Sequence, residues 1–299
     1  MLAAFLTTIL FSFSALSGRR LAHYVSGTQA NLLRLILGAL LVGAWSHLFG
    51  FGVGGPVFPM LFLSGCVGFG LGDLALFQAY PRLGTRRTIV MVQCLAAPIG
   101  ALIEWLWLSH PPTLPQVGWG ALILGGVGTA VMPRKGAEQA HGLAAGLLYG
   151  FLSALGQGGG AVLSRKAYAN ALAAGHPLHG VGDGVNAAYQ RMLGGILVSA
   201  LFLFYLRLTH KPEDSRRADW RRAWPWLGAN SVLGACLGVT CFQWALMLLP
   251  TNIVLPIVAT TPLVLMPLTH FTEGDRITRR AVLGGVMAVA GVIGLTLAK

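Results

Sequence analysis

Charge is what this sequence has least of. Only 10% of its 299 residues are Asp, Glu, Lys or Arg, against about 25% in a soluble globular domain. That shortage excludes an ordinary water-facing surface over most of the chain. Cysteine is scarce as well. Cys66, Cys94, Cys236 and Cys241 each fall inside an apolar run, with no metal-ligand spacing, so they read as small core residues and argue against a metal site. No HExxH, CxxC, GxSxG or Walker pattern occurs, so the chain carries neither a familiar hydrolytic constellation nor an ATP-binding part. No long linker or low-complexity run divides it.

Apolar length is what the chain has in abundance. It is 55% hydrophobic with a mean hydropathy of +0.69, the balance of a protein whose solvent is lipid. The net charge of +12 is not a nucleic-acid signal, because the basic residues sit in short turns between apolar runs instead of on one soluble face. Ten windows reach the roughly 17–25 residues that cross a bilayer: about 2–17, 31–49, 57–79, 88–108, 115–132, 142–163, 185–206, 223–248, 252–271 and 281–298. Helices are expected, since lipid leaves every backbone polar group to be satisfied within its own segment, and the alternation of a membrane barrel is absent. The first window is not a signal peptide, because Arg19 and Arg20 follow it and no Lys or Arg precedes it. The longest turns are expected at about 164–184 and 207–222, the residues left between those windows.

The chain reads as one unit written twice, with halves 1–135 and 136–299 meeting near Met132-Pro133-Arg134-Lys135-Gly136. Arg34 and Gly38 answer Arg191 and Gly195. Gly72 answers Gly238, Phe77-Gln78 answers Phe242-Gln243, and Pro98 answers Pro262. Gly118, Gly125 and Gly128 answer Gly284, Gly291 and Gly294. Of the 21 Lys and Arg, 17 belong to alternate turns, Arg19, Arg20, Arg34, Arg82, Arg86 and Arg87 among them. The positive-inside rule then puts those turns in the cytoplasm and both termini outside. Five spans repeated once enter the membrane in opposite senses, so the expected architecture is an all-α membrane protein of ten transmembrane helices in two inverted five-helix repeats.

Those motifs resemble the EamA-type branch of the drug/metabolite transporter superfamily. The likeness is carried by an Arg early in the second helix of each half (Arg34, Arg191), by Leu71-Gly72 with Leu76-Phe77, and by a mid-helix proline (Pro98, Pro262). To these add the turn Glu273 to Thr278 and glycines seven apart in the fifth helix. One turn departs from the pattern: Ser109-His110-Pro111-Pro112-Thr113 has no glutamate. The resemblance implies alternating-access transport of a small metabolite, amino acid-like or a cationic organic solute, across the inner membrane. Without ATP-binding machinery the expected mode is proton-coupled export. An uncoupled facilitator or exchanger is the alternative, and a non-transporting scaffold is the alternative of a different class. An enzyme is disfavoured, because His110, His176 and His179 all lie in Gly/Pro-rich turns. The expected partners are the solute, protons and the bilayer, with no cofactor.

Asp73 is the leading candidate for coupling or cation binding, because a carboxylate within an apolar span must face a wet cavity, find a partner or be protonated. Glu104, next to Trp105 and Trp107 near the end of the fourth span, is the second. Gln78, Gln93, Gln157 and Gln243, with Asn230, lie deep in spans, where amides either cross-link helices or line a cavity. Trp244, deeper than the tryptophans at the span ends, is a candidate for a cation–π contact. Pro98 and Pro262 each free a backbone carbonyl. Gly158, in the run Gln157-Gly158-Gly159-Gly160, is either a hinge or a packing surface, and Arg34 and Arg191 are matched for scaffold or gate roles.

Overall fold

A computed structural model describes residues 1–108, 113–131, 142–176, 178, 180–209, 218–249, 251–273 and 278–298. Every regular element among them is helical. In chain order they are α1 (Leu2–Tyr24), α2 (Gly27–Phe49), α3 (Phe58–Leu83), α4 (Thr85–Leu108), α5 (Leu114–Val131), α6 (Leu143–Ala173) and α7 (Val181–Leu208). Then come α8 (Trp220–Leu248), α9 (Thr251–Val258), α10 (Thr261–Glu273) and α11 (Arg279–Leu297). Eight helical stretches among the described residues are long and apolar enough to cross a membrane, one of them running from Ile253 to Thr272 through α9 and α10, and Val117–Ala130 is a shorter apolar helix. Their outer faces carry Leu40, Leu201, Phe204 and Leu283, each more than half exposed. Apolar surface of that extent is what lipid covers.

Several boundaries differ from the apolar windows, because a helix continues after its hydrophobicity ends. α1 runs past residue 17 to Tyr24, so Arg19 and Arg20 sit on helix instead of in a turn. α6 runs to Ala173 and takes in Arg165 and Lys166, so the turn expected over 164–184 is much shorter. Arg34 and Arg191 are not turn charges either. Both are buried within helices, at 5% and 3% exposure. The turn Ser109 to Pro112, the junction Met132 to Gly136, Lys211, Arg216, Arg217, Arg276, His110 and His179 lie outside the described residues.

Polar side chains set the helix ends. Ser26 accepts from the Gln29 amide at 3.3 Å to cap α2, Asp219 from the Arg222 amide at 3.2 Å to cap α8, and Thr278 from the Ala281 amide at 3.2 Å to cap α11. Gly84, with φ +79°, makes the reversal from α3 to α4, a conformation that glycine takes without steric cost.

Two helices are not α-helical throughout. α3 widens to π geometry over Cys66–Gly72, and α8 does so over Ser231–Gly238. The first of these is wedged between neighbours. A Cβ on Gly65 would lie 1.9 Å from the Arg191 carbonyl oxygen, and one on Gly72 would lie 3.0 Å from Gly156 Cα. Glycine is what lets α3 touch α7 and α6 backbone to backbone.

Pro98 and Pro262 behave differently. Pro98 sits inside the unbroken α4, whereas Pro262 is the second residue of α10, just after a break at Ala259 and Thr260. Val258 O, freed because Pro262 has no N–H, accepts from Thr261 Oγ1 at 2.5 Å, while Ile257 O keeps a bond from the Thr260 amide at 3.1 Å and is also reached by Thr260 Oγ1 at 2.6 Å and by Thr8 Oγ1 of α1 at 3.0 Å. Proline removes one backbone donor, and neighbouring hydroxyls restore the balance.

Packing follows an exchange pattern. α1 lies against α8, α9 and α10, while α6 lies against α3 and α4. α2 packs along α7, and α5 along α11. In that last pair a Cβ on Gly126 would stand 2.5 Å from the Ala288 nitrogen, and one on Gly284 would stand 2.5 Å from the Ala130 nitrogen. The glycines matched from sequence fare unequally. Among the described residues nothing lies within 4 Å of a notional Cβ on Gly118, Gly125 or Gly128, whereas Gly284, Gly291 and Gly294 are crowded.

A candidate solute cavity between the two halves

Seven helices, α1 to α4 and α6 to α8, line a partly open cavity of about 90 Å³. Five aromatic residues stand in its wall: Phe11, Phe69, Phe77, Tyr80 and Phe242. Its charged lining residues are Arg34, Asp73 and Arg191. A volume of this order holds several waters or a small organic group.

Asp73 is the first residue after the π segment of α3. Its carboxylate pairs with the Arg34 guanidinium. Arg34 is held from the other side by Asn31, one helical turn earlier, whose Oδ1 accepts from Nε at 3.0 Å and from Nη2 at 2.9 Å. The Asn31 amide nitrogen donates to Phe69 O at 2.8 Å and to Ser199 Oγ at 2.9 Å. Those contacts tie α2 to α3 and α7, so the pair has a fixed geometry. The rings of Phe77 and Phe69 lie 5.3 and 5.9 Å from the Arg34 guanidinium carbon. A charged pair supported by additional hydrogen bonds can persist away from water.

Arg191 enters from α7. Its guanidinium carbon lies 4.7 Å from the Phe69 ring centre. Its Nη2 occupies the space where side chains on Gly68 and Gly160 would begin, 2.8 and 3.1 Å from their notional Cβ atoms. Among the described residues its buried Nε has no hydrogen-bond partner.

Two amide groups complete the polar lining. Gln157 Nε2 donates to Gln93 Oε1, joining α6 to α4. Asn230 Nδ2 donates to Ser14 O at 2.7 Å and to Ser14 Oγ at 3.0 Å. Because a backbone carbonyl only accepts, this fixes the amide orientation, and Asn230 Oδ1 is left buried without a partner.

Of the residues singled out from sequence, Asp73, Gln93, Gln157, Asn230, Arg34 and Arg191 therefore meet at one cavity. Others do not line it. Gln78 Oε1 accepts from Arg82 Nη1 at 3.0 Å, near the end of α3. Gln243 Oε1 accepts from Tyr168 OH at 2.5 Å, between α8 and α6. Trp244 packs by Gly184 of α7, whose notional Cβ lies 3.2 Å from Trp244 Cβ. Gly158 lies within the continuous α6, its notional Cβ 2.9 Å from Ala96 O of α4, so the glycine run serves close packing and introduces no break. Glu104 lies on α4, and its side chain is outside the described residues.

Asn31 and the aromatic wall were missed. Asn31 was legible in principle, since a polar residue three positions before a buried Arg shares its helix face. Phe77 and Phe242 stood out from sequence as matched positions, although not as lining. Among the described residues, no group of three or more His, Cys, Asp or Glu could hold a metal ion.

The sequence model of the EamA-like transporter family matches residues 1–132 and 144–297. A solved crystal structure superposes with a TM-score of 0.65 over 99% of this chain and 96% of the other, at 16% identity, which shows a shared fold and no more. No curated protein matches the chain. With the family match spanning nearly all of the sequence, and with apolar helices around a cavity that holds charged side chains, the chain belongs to the EamA-like transporter family and is a multi-pass membrane transporter of small solutes.

Proposed function

We propose that the chain is a secondary active transporter whose ten spans form two inverted five-helix repeats, residues 1–135 and 136–299. α9 and α10 together make the ninth span. The solute binds in the cavity between the halves and crosses the inner (plasma) membrane by alternating access. The observation that carries this reading is the placement of a buried carboxylate, Asp73, with two guanidiniums in a cavity lined by helices of both halves. The repeat is supported by the two separate segments matched by the family. It is also supported by the packing, in which exchanging the halves turns the α1–α8 contact into α6–α3 and leaves the α2–α7 and α5–α11 contacts in place. Asp73 and Val239 each stand immediately after a π segment. Inverted repeats with a site at their interface are a common design for such carriers.

The orientation is supported by contacts that gather the basic helix ends. Arg20 Nη2 donates to Thr272 O at 2.6 Å, and the Asp219 amide donates to Tyr24 O at 3.1 Å. Arg19, Arg20, Arg82, Arg87, Arg221 and Arg222 share this end, which faces the cytoplasm.

Protonation of Asp73 supplies the coupling. Neutralising it releases Arg34 from its pair and changes the charge of the cavity by one unit, which alters how tightly the two access states are held. Pairing with Arg34 equally suits an uncoupled facilitator, and one assay separates the two. The purified protein is screened by thermal stabilisation with amino acids, organic cations, sugars and nucleotides. A stabilising solute is then added to proteoliposomes loaded with a pH-sensitive dye. Wild type moves protons with the solute, whereas Asp73→Asn still moves the solute and leaves the internal pH unchanged. Proton movement in Asp73→Asn equal to wild type would leave the facilitator standing.

A further inference from the structure

Arg34 and Arg191 occupy matched places in α2 and α7, yet only one has partners. Three residues before Arg34 stands Asn31, and three residues before Arg191 stands Ala188. After the π segment that faces Arg34 stands Asp73, and after the π segment of α8 stands Val239. Both polar partners of Arg34 are thus apolar at the corresponding places for Arg191. No hydrogen bond takes their place at the Arg191 Nε, which among the described residues is buried and unpartnered, although the Asp73 charge is near enough to act on the guanidinium. The side chain is nonetheless accommodated with care. Gly68 and Gly160 leave it room, and Phe69 lies against it. The cavity therefore holds two guanidiniums and one carboxylate, and the carboxylate is already engaged by Arg34.

A guanidinium inside a membrane protein is costly unless an opposite charge meets it. We propose that Arg191 binds the anionic group, a carboxylate or a phosphate, of the transported solute. The guanidinium fork matches two oxygens of either group. The apolar body of the solute rests on Phe11, Phe77 and Phe242, and the free Asn230 Oδ1 accepts a hydrogen bond from an N–H or O–H of the solute. A solute whose only charge is positive meets an excess of like charge and is disfavoured. This inference rests on the reading of the cavity as the solute site.

The test uses the detergent-purified full chain at fixed ionic strength, with four probes of one shape: benzoate, phenyl phosphate, benzamide and benzylammonium. A ligand that binds the folded form raises the melting temperature. Benzoate or phenyl phosphate stabilises, and the larger shift identifies carboxylate or phosphate as the group. Benzamide and benzylammonium do not stabilise. Arg191→Gln weakens the anion by about tenfold or more, the worth of a charge-assisted hydrogen bond, with each variant's shift read against its own ligand-free melting temperature. Arg191→Lys keeps the preference for anions at reduced affinity. Benzamide stabilising as well as benzoate, an unchanged affinity in Arg191→Gln, or stabilisation by inorganic phosphate alone would each overturn the proposal. Tracer flux into liposomes separates it from the transport reading. Benzoate that binds through Arg191 but never crosses sinks transport and keeps the site, while flux of benzylammonium without anion binding does the reverse.

Discussion

Replacing Gly126 or Gly284 by alanine should push α5 and α11 apart. On Gly126 the new methyl would sit 2.5 Å from the Ala288 nitrogen and 2.7 Å from Gly284 O, and on Gly284 it would sit 2.5 Å from the Ala130 nitrogen and 2.6 Å from Gly126 O. Relief requires roughly 3.5 Å, so the helices must separate by about 1 Å, a gap that forfeits a quarter to a half of the dispersion energy of the facing atoms. Backbone lies on both sides of the contact, so no rotamer change absorbs the clash. Overpacking of this kind costs about 1–3 kcal/mol, set against about 1 kcal/mol gained from the better helix propensity of alanine. Gly125→Ala and Gly128→Ala are the controls: among the described residues nothing lies within 4 Å of either notional methyl, so only the propensity gain applies. Thermal unfolding of the four variants in one detergent should rank Gly125→Ala and Gly128→Ala at or above wild type, with Gly126→Ala and Gly284→Ala below those two controls. The double variant Gly126→Ala/Gly284→Ala should lose much less than the sum of its singles, because one separation accommodates both methyls. Equal losses at Gly125 and Gly126, or strict additivity in the double variant, would refute the backbone-to-backbone contact.

Two further outcomes follow from the hydrogen bonds. Tyr168→Phe strands Gln243 Oε1 beside an Nε2 that already lacks a partner among the described residues, and should cost about 1–3 kcal/mol. Adding Gln243→Leu should recover most of that loss on the same melting assay, and no recovery would mean that Gln243 is held by something other than Tyr168. At the break before α10, Thr261→Val removes the donor to Val258 O and should destabilise by about 1–3 kcal/mol, whereas Thr129→Val, whose hydroxyl bonds only Gly125 O one turn back on the exposed face of α5, should change the melting temperature little; equal effects would remove the special role of the break.

The sequence announced its helices, because lipid enforces a single rule on every span: eight of the ten apolar windows hold a described stretch long and apolar enough to cross, and a ninth holds the shorter Val117–Ala130. It blurred their ends. Hydropathy stops at the first arginine while hydrogen bonding continues, which is why α1 carries Arg19 and Arg20 and α6 carries Arg165. Asp73, Gln93 and Gln157 could be singled out because a polar side chain in lipid demands a reason. Which of the deep amides face the cavity could not be read, since Gln157 and Gln243 look alike along the chain and only packing sends one toward Gln93 and the other toward Tyr168. The matched glycines show the same limit. Sequence pairs Gly125 with Gly291, yet the face of α5 that meets α11 is set by Gly126, one residue away and about 100° around the helix.

The π segments of α3 and α8 are slack wound into two helices that flank the cavity. Their hydrogen bonds run one residue further along the chain than those of an α-helix. If a segment took up α geometry, every backbone group would stay bonded, but the helix beyond it would turn by about 100° for each residue absorbed. Asp73 is the first residue beyond one segment and Val239 the first beyond the other. Such a turn would swing the Asp73 carboxylate off Arg34 and bring a different face of α3 to the cavity, so the charge could be re-aimed by a twist within one helix, without the whole half having to move. Amide exchange faster across Cys66–Gly72 than in the α-helical turns on either side would mark this slack as mobile, and equal protection would mean that the coil is locked.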